Sequence, residues 1–459
     1  MAKKKSSSSK AVKKATKTLT KTAKKNPVAV IIIIVVALCL VGAGVAGYFI
    51  WKSMNPDMSF ELIGQEKTYV SIGGTYVEEG AIAKYGGKDV SSEIKITYYD
   101  KDKQEVSAIN TENEAEFTAK YAINYQKLNK ELTRRIIVSD VSEMSINFLE
   151  LGNKYTGDST YIKAGDVDIL IDAGSRNNSA GAIASFVDNY CTDGKLEYVI
   201  ATHAHQDHIA GFVGTSSIPG IFKKYQVETI IDFALTNADS KVYKDYVSER
   251  DAEVAAGAKH YTALDCTQEK DGAQKVYDIA PGITMEVLYQ KFYEQKTADE
   301  NDYSVCVLFT QGDNHYLFTG DLEKDGEESL VTNNNLPEVE LFKGGHHGSY
   351  TANTDNLLSV IKPKVVCICC CAGSDEYTKD PASLHNFPAQ EAVDRIGKYT
   401  AQVFVTSVVS DNSDGYESMN GNITFYSEKG KAYTVTGSNN NTILKDTTWF
   451  KSNRTWPSV

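Results

Sequence analysis

Hydrophobic and polar positions follow three different patterns along the 459-residue chain. Residues 28–51, VAVIIIIVVALCLVGAGVAGYFIW, are 24 uncharged, mostly apolar positions in a row. At a rise of about 1.5 Å per residue they reach across a hydrocarbon layer about 30 Å thick, which predicts a transmembrane helix. Over residues 56–140 the period is two, in runs such as SFELIG, KTYVSIG, EIKITYY, AEFTAKYAINY and LTRRIIVSD, separated by Gly and Asn/Asp clusters. Short strands so spaced predict a small β-sandwich. From Ser142 onward strand-like runs (SINFLEL, VDILIDAG, YVIATH, SVCVLFT, HYLFTG, KVVCICCC) alternate with helix-length segments at 180–191, 241–259, 353–362 and 388–399. That mixture predicts a layered α/β domain over residues 142–437. Residues 438–459 read as a polar, Asn-rich tail in which Trp449 and Trp456 pack back on the domain or touch wall glycans, packing being favoured.

Charge sharpens the amino-terminal picture. The overall net charge is −12, yet ten of the 48 basic residues lie in 1–26 and Lys52 is one more. Residues 53–459 therefore carry 37 basic against 60 acidic side chains, a net of −23. Lysine concentrated before the span predicts a cytoplasmic tail over 1–27, one crossing over 28–51 and an outward-facing remainder at the cell membrane. A cleaved signal peptide is the competing reading, since small residues run from Ala43 to Gly47; the long apolar stretch and Tyr48 to Trp51 after it favour the anchor. An acidic body disfavours long-range attraction to DNA unless a local groove or bound cations reverse the field. Of eight cysteines, Cys39 is in the span, and the odd number outside excludes a fully paired disulfide framework. Cys367, Cys369, Cys370 and Cys371 read as small hydrophobes on a buried strand.

The chemistry is concentrated in a few stretches. VIAT at 199–202 runs into HAHQDH, placing His203, His205, Asp207 and His208 at the carboxyl end of a strand, where α/β sheets put their sites. Imidazole and carboxylate at this spacing suit Zn²⁺ first, with Mn²⁺ or Fe as alternatives. HYLFTGDLE adds Asp321, a carboxylate able to bridge two cations, and LFKGGHHGS adds His346 and His347 in a glycine-flanked turn. The ligand sets follow as His203 and His205 on one ion, Asp207 and His208 on the other, with Asp321 between them. One of His346 and His347 completes the second ion, and the other stabilises developing charge or protonates the leaving group. Two cations about 3.5–4 Å apart lower the pKa of a shared water toward 7 and clamp the oxygens of a phosphoester. Asp172 reads as an orienter of a ligating imidazole, and Lys343 as a binder of an anionic substrate or an ordinary surface lysine.

A strand ending in HxHxDH, a later GD and HHGS resemble the metallo-β-lactamase-fold hydrolases over about residues 142–435. The resemblance implies an α/β, four-layer αββα sandwich. GDS at 157–159, ILIDAG, NDYSVCVLF, LFTGDLE, KGGHHGS and the His385-to-Pro388 spacing are similar to the extracellular domain of ComEC-type DNA-uptake proteins and to teichoic-acid phosphorylcholine esterases. By that likeness His385 lines the pocket. No isolated histidine precedes SVCVLF, where Asn301 and Asp302 stand, so the third ligand position is more open or oxygen-rich and penicillin-type activity is disfavoured. His205 stands where flavodiiron oxygen reductases place Glu, which favours hydrolysis over redox chemistry. GGTYVEEGAIA at 73–83 with TRRIIVSD at 133–140 resembles bacterial immunoglobulin-like modules, implying a spacer over 56–140. The expectation is a membrane-anchored phosphodiesterase with two divalent ions, acting on an envelope phosphoester or extracellular nucleic acid and needing no obligate protein partner. A lactone, thioester or β-lactam hydrolase on the same site, and a non-enzymatic binding protein with a structural metal, are the alternatives.

Overall fold

The computed structural model describes residues 52, 56–374, 376, 383–410, 415–429 and 431–458. The expected span at 28–51 and tail at 1–27 lie outside the described residues, among which no helix is long and apolar enough to cross a membrane. Two compact units are present: one takes residues up to 63 with 80–96 and 121–132, the other 64–79, 97–120 and 133 onward. Stretches of residues 56–140 thus fall in both.

The first unit contains the antiparallel pairing of Met58–Leu62 with Ala81–Tyr85, extended by Lys88–Asp89. A five-stranded sheet over the same sequence region runs Lys67–Ser71, Leu128–Ser139, Ala115–Tyr125, Lys95–Asp100, Glu105–Val106. The period-2 pattern is borne on these strands. Ala115–Tyr125, for example, buries Phe117, Ala119, Tyr121 and Ile123 on one face.

The second unit is built on two eight-stranded sheets. The first runs Lys259–Thr262, Gln226–Asp232, Lys195–Ile200, Val167–Ile171, Thr160–Ala164, Met144–Phe148, Ile423–Ser427, Thr434–Gly437. The other runs Val276–Ala280, Ile283–Leu288, Cys306–Gln311, Asn314–Phe318, Leu341–Lys343, Val365–Ala372, Val403–Val409, Tyr416–Ser418. Val365–Ala372 is buried throughout, and its side chains divide by parity: Val365, Cys367 and Cys369 join one core, Val366, Ile368, Cys370 and Ala372 another. Its cysteines act as small apolar fillers, and all seven described cysteines are free.

The first core lies between the sheets, where Ile146, Phe148 and Ile162 meet Val307, Phe309 and Phe318, and it continues to helical Ile183, Val187, Phe212 and Tyr246. The second core packs Leu330, Leu357, Leu358, Ile361, Val393 and Ile396 from three helices onto the outer face of the second sheet. Helix, sheet, sheet, helix is the resulting order, a mixed α/β architecture. Residues 438–458 are part of it: Leu444 and Phe450 are buried in the second core, with Trp449 and Trp456 against it.

Candidate metal centre

Strand ends bring the polar residues together. Asp172 follows Val167–Ile171, His203 stands shortly after Lys195–Ile200, Asp321 follows Asn314–Phe318, and the Gly345–Gly348 turn follows Leu341–Lys343. Thr160–Ala164 runs antiparallel to Val167–Ile171 with Thr160 opposite Ile171, so Asp158, just before it, arrives at the same edge. Asp207 and His208 sit in the first turn of the short helix Gln206–Val213.

The backbone around these residues is constrained. Asp172, His346 and His347 have φ of 58°, 45° and 53°, left-handed conformations that side-chain-bearing residues adopt rarely and keep where function needs a particular aim. Gly174 packs so closely that a Cβ would lie 1.5 Å from the Asp207 carbonyl oxygen. The ILIDAG motif therefore ends in glycine for close approach to the loop carrying the ligands.

His208 is fully buried, with Nδ1 2.8 Å from Asp172 Oδ2 and Nε2 3.0 Å from Asp321 Oδ2. Asp172 is fixed in turn by the Thr202 backbone N–H at 2.7 Å and its hydroxyl at 2.8 Å. His347 donates from Nδ1 to the Cys369 carbonyl at 2.9 Å, because a carbonyl only accepts. Its Nε2 is thereby turned to the centre, 3.1 Å from Asp321 Oδ2 and 3.4 Å from Asp207 Oδ2. Beside this group, His203 Nε2 stands 2.9 Å from His205 Nδ1, and the His203 and His208 rings are 4.1 Å apart. Ser304 Oγ lies 3.4 Å from His203 Nδ1 and accepts the Asp321 N–H at 3.1 Å. His346 is at the rim: Nδ1 lies 3.1 Å from Glu323 Oε1, Nε2 3.9 Å from Asp321 Oδ2, and its side chain is 17% exposed. The Phe387 ring covers both histidines of the turn, with centroids 5.5 and 5.7 Å away.

The field at the centre is strongly negative. Burial disfavours charge on His208, but Asp321 and Asp172 outweigh it and push its pKa up to about 10. Burial likewise opposes a charge on His347, and Asp321 and Asp158 overcome it, raising its pKa well above the ordinary histidine value. Burial also opposes ionisation of Asp321, yet His208, His347 and Lys343 hold its carboxyl well below the usual range. A field that draws protons onto buried imidazoles equally draws a metal cation in their place. Donor atoms of Asp158, His208, Asp321 and His347 all lie within 4.8 Å of one another, and buried His347 Nε2 makes no hydrogen bond. Oxygen and imidazole donors so arranged fit a divalent ion. At His203, burial first, then His208 and His205, hold the pKa well below the ordinary value, keeping the ring neutral as a ligand must be.

Of the residues expected from sequence, His203, His205, Asp207, His208, Asp321 and His347 converge, with Asp172 behind His208. Lys343 and Asn301 lie beside the group, and His385 lies away from it. Lys343 is not a surface lysine: it is 3% exposed, pairs with Asp158 and lies 3.4 Å from Asp321 Oδ1. Its strand is buried throughout. His385 does not line the group; it is largely exposed, stacks on Tyr350 and lies 3.1 Å from Glu391 Oε1, because its loop turns outward before Phe387 turns in. Asn301 is buried and donates from Nδ2 to Glu323 Oε1 at 3.1 Å, so it braces the carboxylate that holds His346. Asp158 is the residue that sequence reasoning left out of the site. Its signal was GDS before a strand, and only the antiparallel register reveals where it lands.

The model of the metallo-beta-lactamase superfamily matches residues 152–219. The fold is mixed α/β and metallo-β-lactamase-like. Relatives include "ComE operon protein 3" of Bacillus subtilis, 25% identical over 181 residues, covering 38% of this chain and 20% of that protein. "Recombination protein 2" of Haemophilus influenzae is 30% identical over 112 residues, covering 24% of this chain and 13% of that protein. The chain thus spans a fifth or less of the relatives it matches. Among solved structures, the short form of human tRNase Z aligns at a TM-score of 0.27 and 13% identity over 60% of this chain and 99% of that one. A metallo-beta-lactamase of Cronobacter sakazakii with a HARLDQ motif aligns at 0.25 and 14%, over 42% of this chain and 72% of that one.

Proposed function

We propose that the chain is a metal-dependent hydrolase, anchored in the cell membrane by residues 28–51 and facing outward, whose substrate is a phosphodiester of the envelope or of extracellular nucleic acid. The observation that carries this reading is the aim of the imidazoles. His208 and His347 spend Nδ1 on Asp172 and the Cys369 carbonyl, leaving both Nε2 atoms turned toward Asp321. Metal-ligating histidines are arranged in this way. Asp207, His208, Asp321 and His347 would hold one divalent ion, and His203 and His205, with Asp321 shared, the other. When bound, such a pair supplies Lewis acidity and a water activated near neutral pH.

The remaining work falls to this chain's own groups. His346 has a partly open ring and a Glu323 partner to carry its proton, which suits it to protonate the leaving oxygen. Phe387 shields the paired histidines from water on one side, strengthening the electrostatics there. The immunoglobulin-like reading of residues 56–140 makes that segment a spacer between membrane and hydrolase. The test is a substrate panel on the metal-loaded full chain, with an aryl phosphodiester, an aryl carboxylic ester, a lactone and a β-lactam. Phosphodiester turnover that Asp321→Ala abolishes is expected; turnover of the carboxylic substrates alone, or a rate indifferent to Asp321→Ala, overturns the proposal.

A further inference from the structure

Lys343 is the feature of the centre that metal ligation leaves unused. A lysine is almost never fully buried unless paired, and this one spends its ammonium on three acceptors. It donates to the Gly320 carbonyl at 3.0 Å, lies 3.4 Å from Asp321 Oδ1, and pairs with Asp158 Oδ2. The other oxygen of Asp158 stands 3.2 Å from His347 Nδ1. One ammonium therefore touches Asp321 directly and reaches His347 through Asp158. It is buried, whereas His346 is partly exposed.

We propose that Lys343 is a resident cation: it assembles the carboxylates of Asp158 and Asp321, and through Asp158 the His347 ring, before any metal ion arrives. It is a positioning residue, acting through those partners. The inference rests on the metal-site reading above for the meaning of the group, but not for its test. Carboxylates buried near one another repel, and the unpaired partner of a buried ion pair is costly. In the metal-free protein Lys343 offsets that repulsion together with the His208 and His347 rings, and it contacts both Asp158 and Asp321; with metal bound, the ion shares the work.

The experiment compares the full chain and two variants, Lys343→Met and Asp158→Asn/Lys343→Met, by thermal unfolding with and without Zn²⁺. Lys343→Met is expected to lower the metal-free midpoint by about 5–10 °C and the zinc-loaded midpoint by less than half as much. The zinc-induced rise thus grows in the variant. The double variant, with both charges of the pair removed, is expected to recover at least half of the metal-free loss, which a packing role for the lysine stem would not produce. Where zinc stabilises the wild-type chain, equal losses with and without zinc overturn the proposal; in every case a double variant no better than the single overturns it. If Lys343→Met does not fold, recovery of a folded double variant supports it and failure of both overturns it. A wild-type chain that zinc does not stabilise counts against the hydrolase reading, while the metal-free comparison still decides the lysine's role.

Discussion

At the scale of single residues, the paired histidines of the HHGS turn separate into two roles once their hydrogen bonds are followed. His347 is buried with Nδ1 on a carbonyl, and His346 is at the rim with Nδ1 beside Glu323. His347→Ala is expected to lower bound metal, to below half of the wild-type content by elemental analysis after dialysis. His346→Ala is expected to keep its metal and lose about 10²–10⁴-fold in turnover. The reverse pattern would exchange the assignments. Sequence made the residue types legible, because HxHxDH, GD and HHGS are dense in groups that only metal chemistry uses together. It could not separate two adjacent histidines, since the distinction is made by a carbonyl 22 positions away at Cys369. Nor did it place Asp158 or Lys343, whose meeting depends on strands far apart in the chain.

At the scale of elements, the longer strands were legible from their apolar residues: Gln226–Asp232 alternates at its start and Val365–Ala372 is a continuous apolar run. Shorter pieces escaped. Gln206–Val213 is hidden within the motif that gives the site its chemistry, and Leu341–Lys343 has only three residues. What such elements demand can be tested at Gly174. A methyl there would lie 1.5 Å from the Asp207 carbonyl oxygen, so Gly174→Ala must push the helix start aside. A loss of about 2–4 kcal/mol in urea unfolding is expected, together with weakened metal binding; wild-type values for both would show that the loop adapts without cost. The strand Val276–Ala280 offers a second test. Burial, then the charge of Glu79, raises the Asp278 pKa from 3.8 to about 6. Because the folded value is the higher one, this residue favours folding most at pH below its unfolded pKa, and that contribution is lost as pH rises through about 6. Asp278→Asn should therefore raise the unfolding midpoint at pH 8 by the equivalent of about 1–2 kcal/mol and at pH 5 by about half as much. An equal shift at both pH values would remove the electrostatic explanation.

At the scale of the whole molecule, charge and chemistry pull in different directions. Residues 53–459 carry a net of −23, while the proposed substrate class is anionic. Lys343, beside the centre, is buried and paired with Asp158 and Asp321. Association with a long polyanion must then proceed against the general field, and salt must help by screening it. Between about 20 and 200 mM monovalent salt, where the screening length shortens from about 20 Å to below 10 Å, the kcat/KM for single-stranded DNA is expected to rise several-fold. A small aryl phosphodiester carries one charge and feels mostly the local site, so its kcat/KM should change less than about twofold over the same range. A kcat/KM for DNA that falls with salt would mean that a local basic track outweighs the acidic body, and it would favour nucleic acid over a compact envelope ester as the natural substrate.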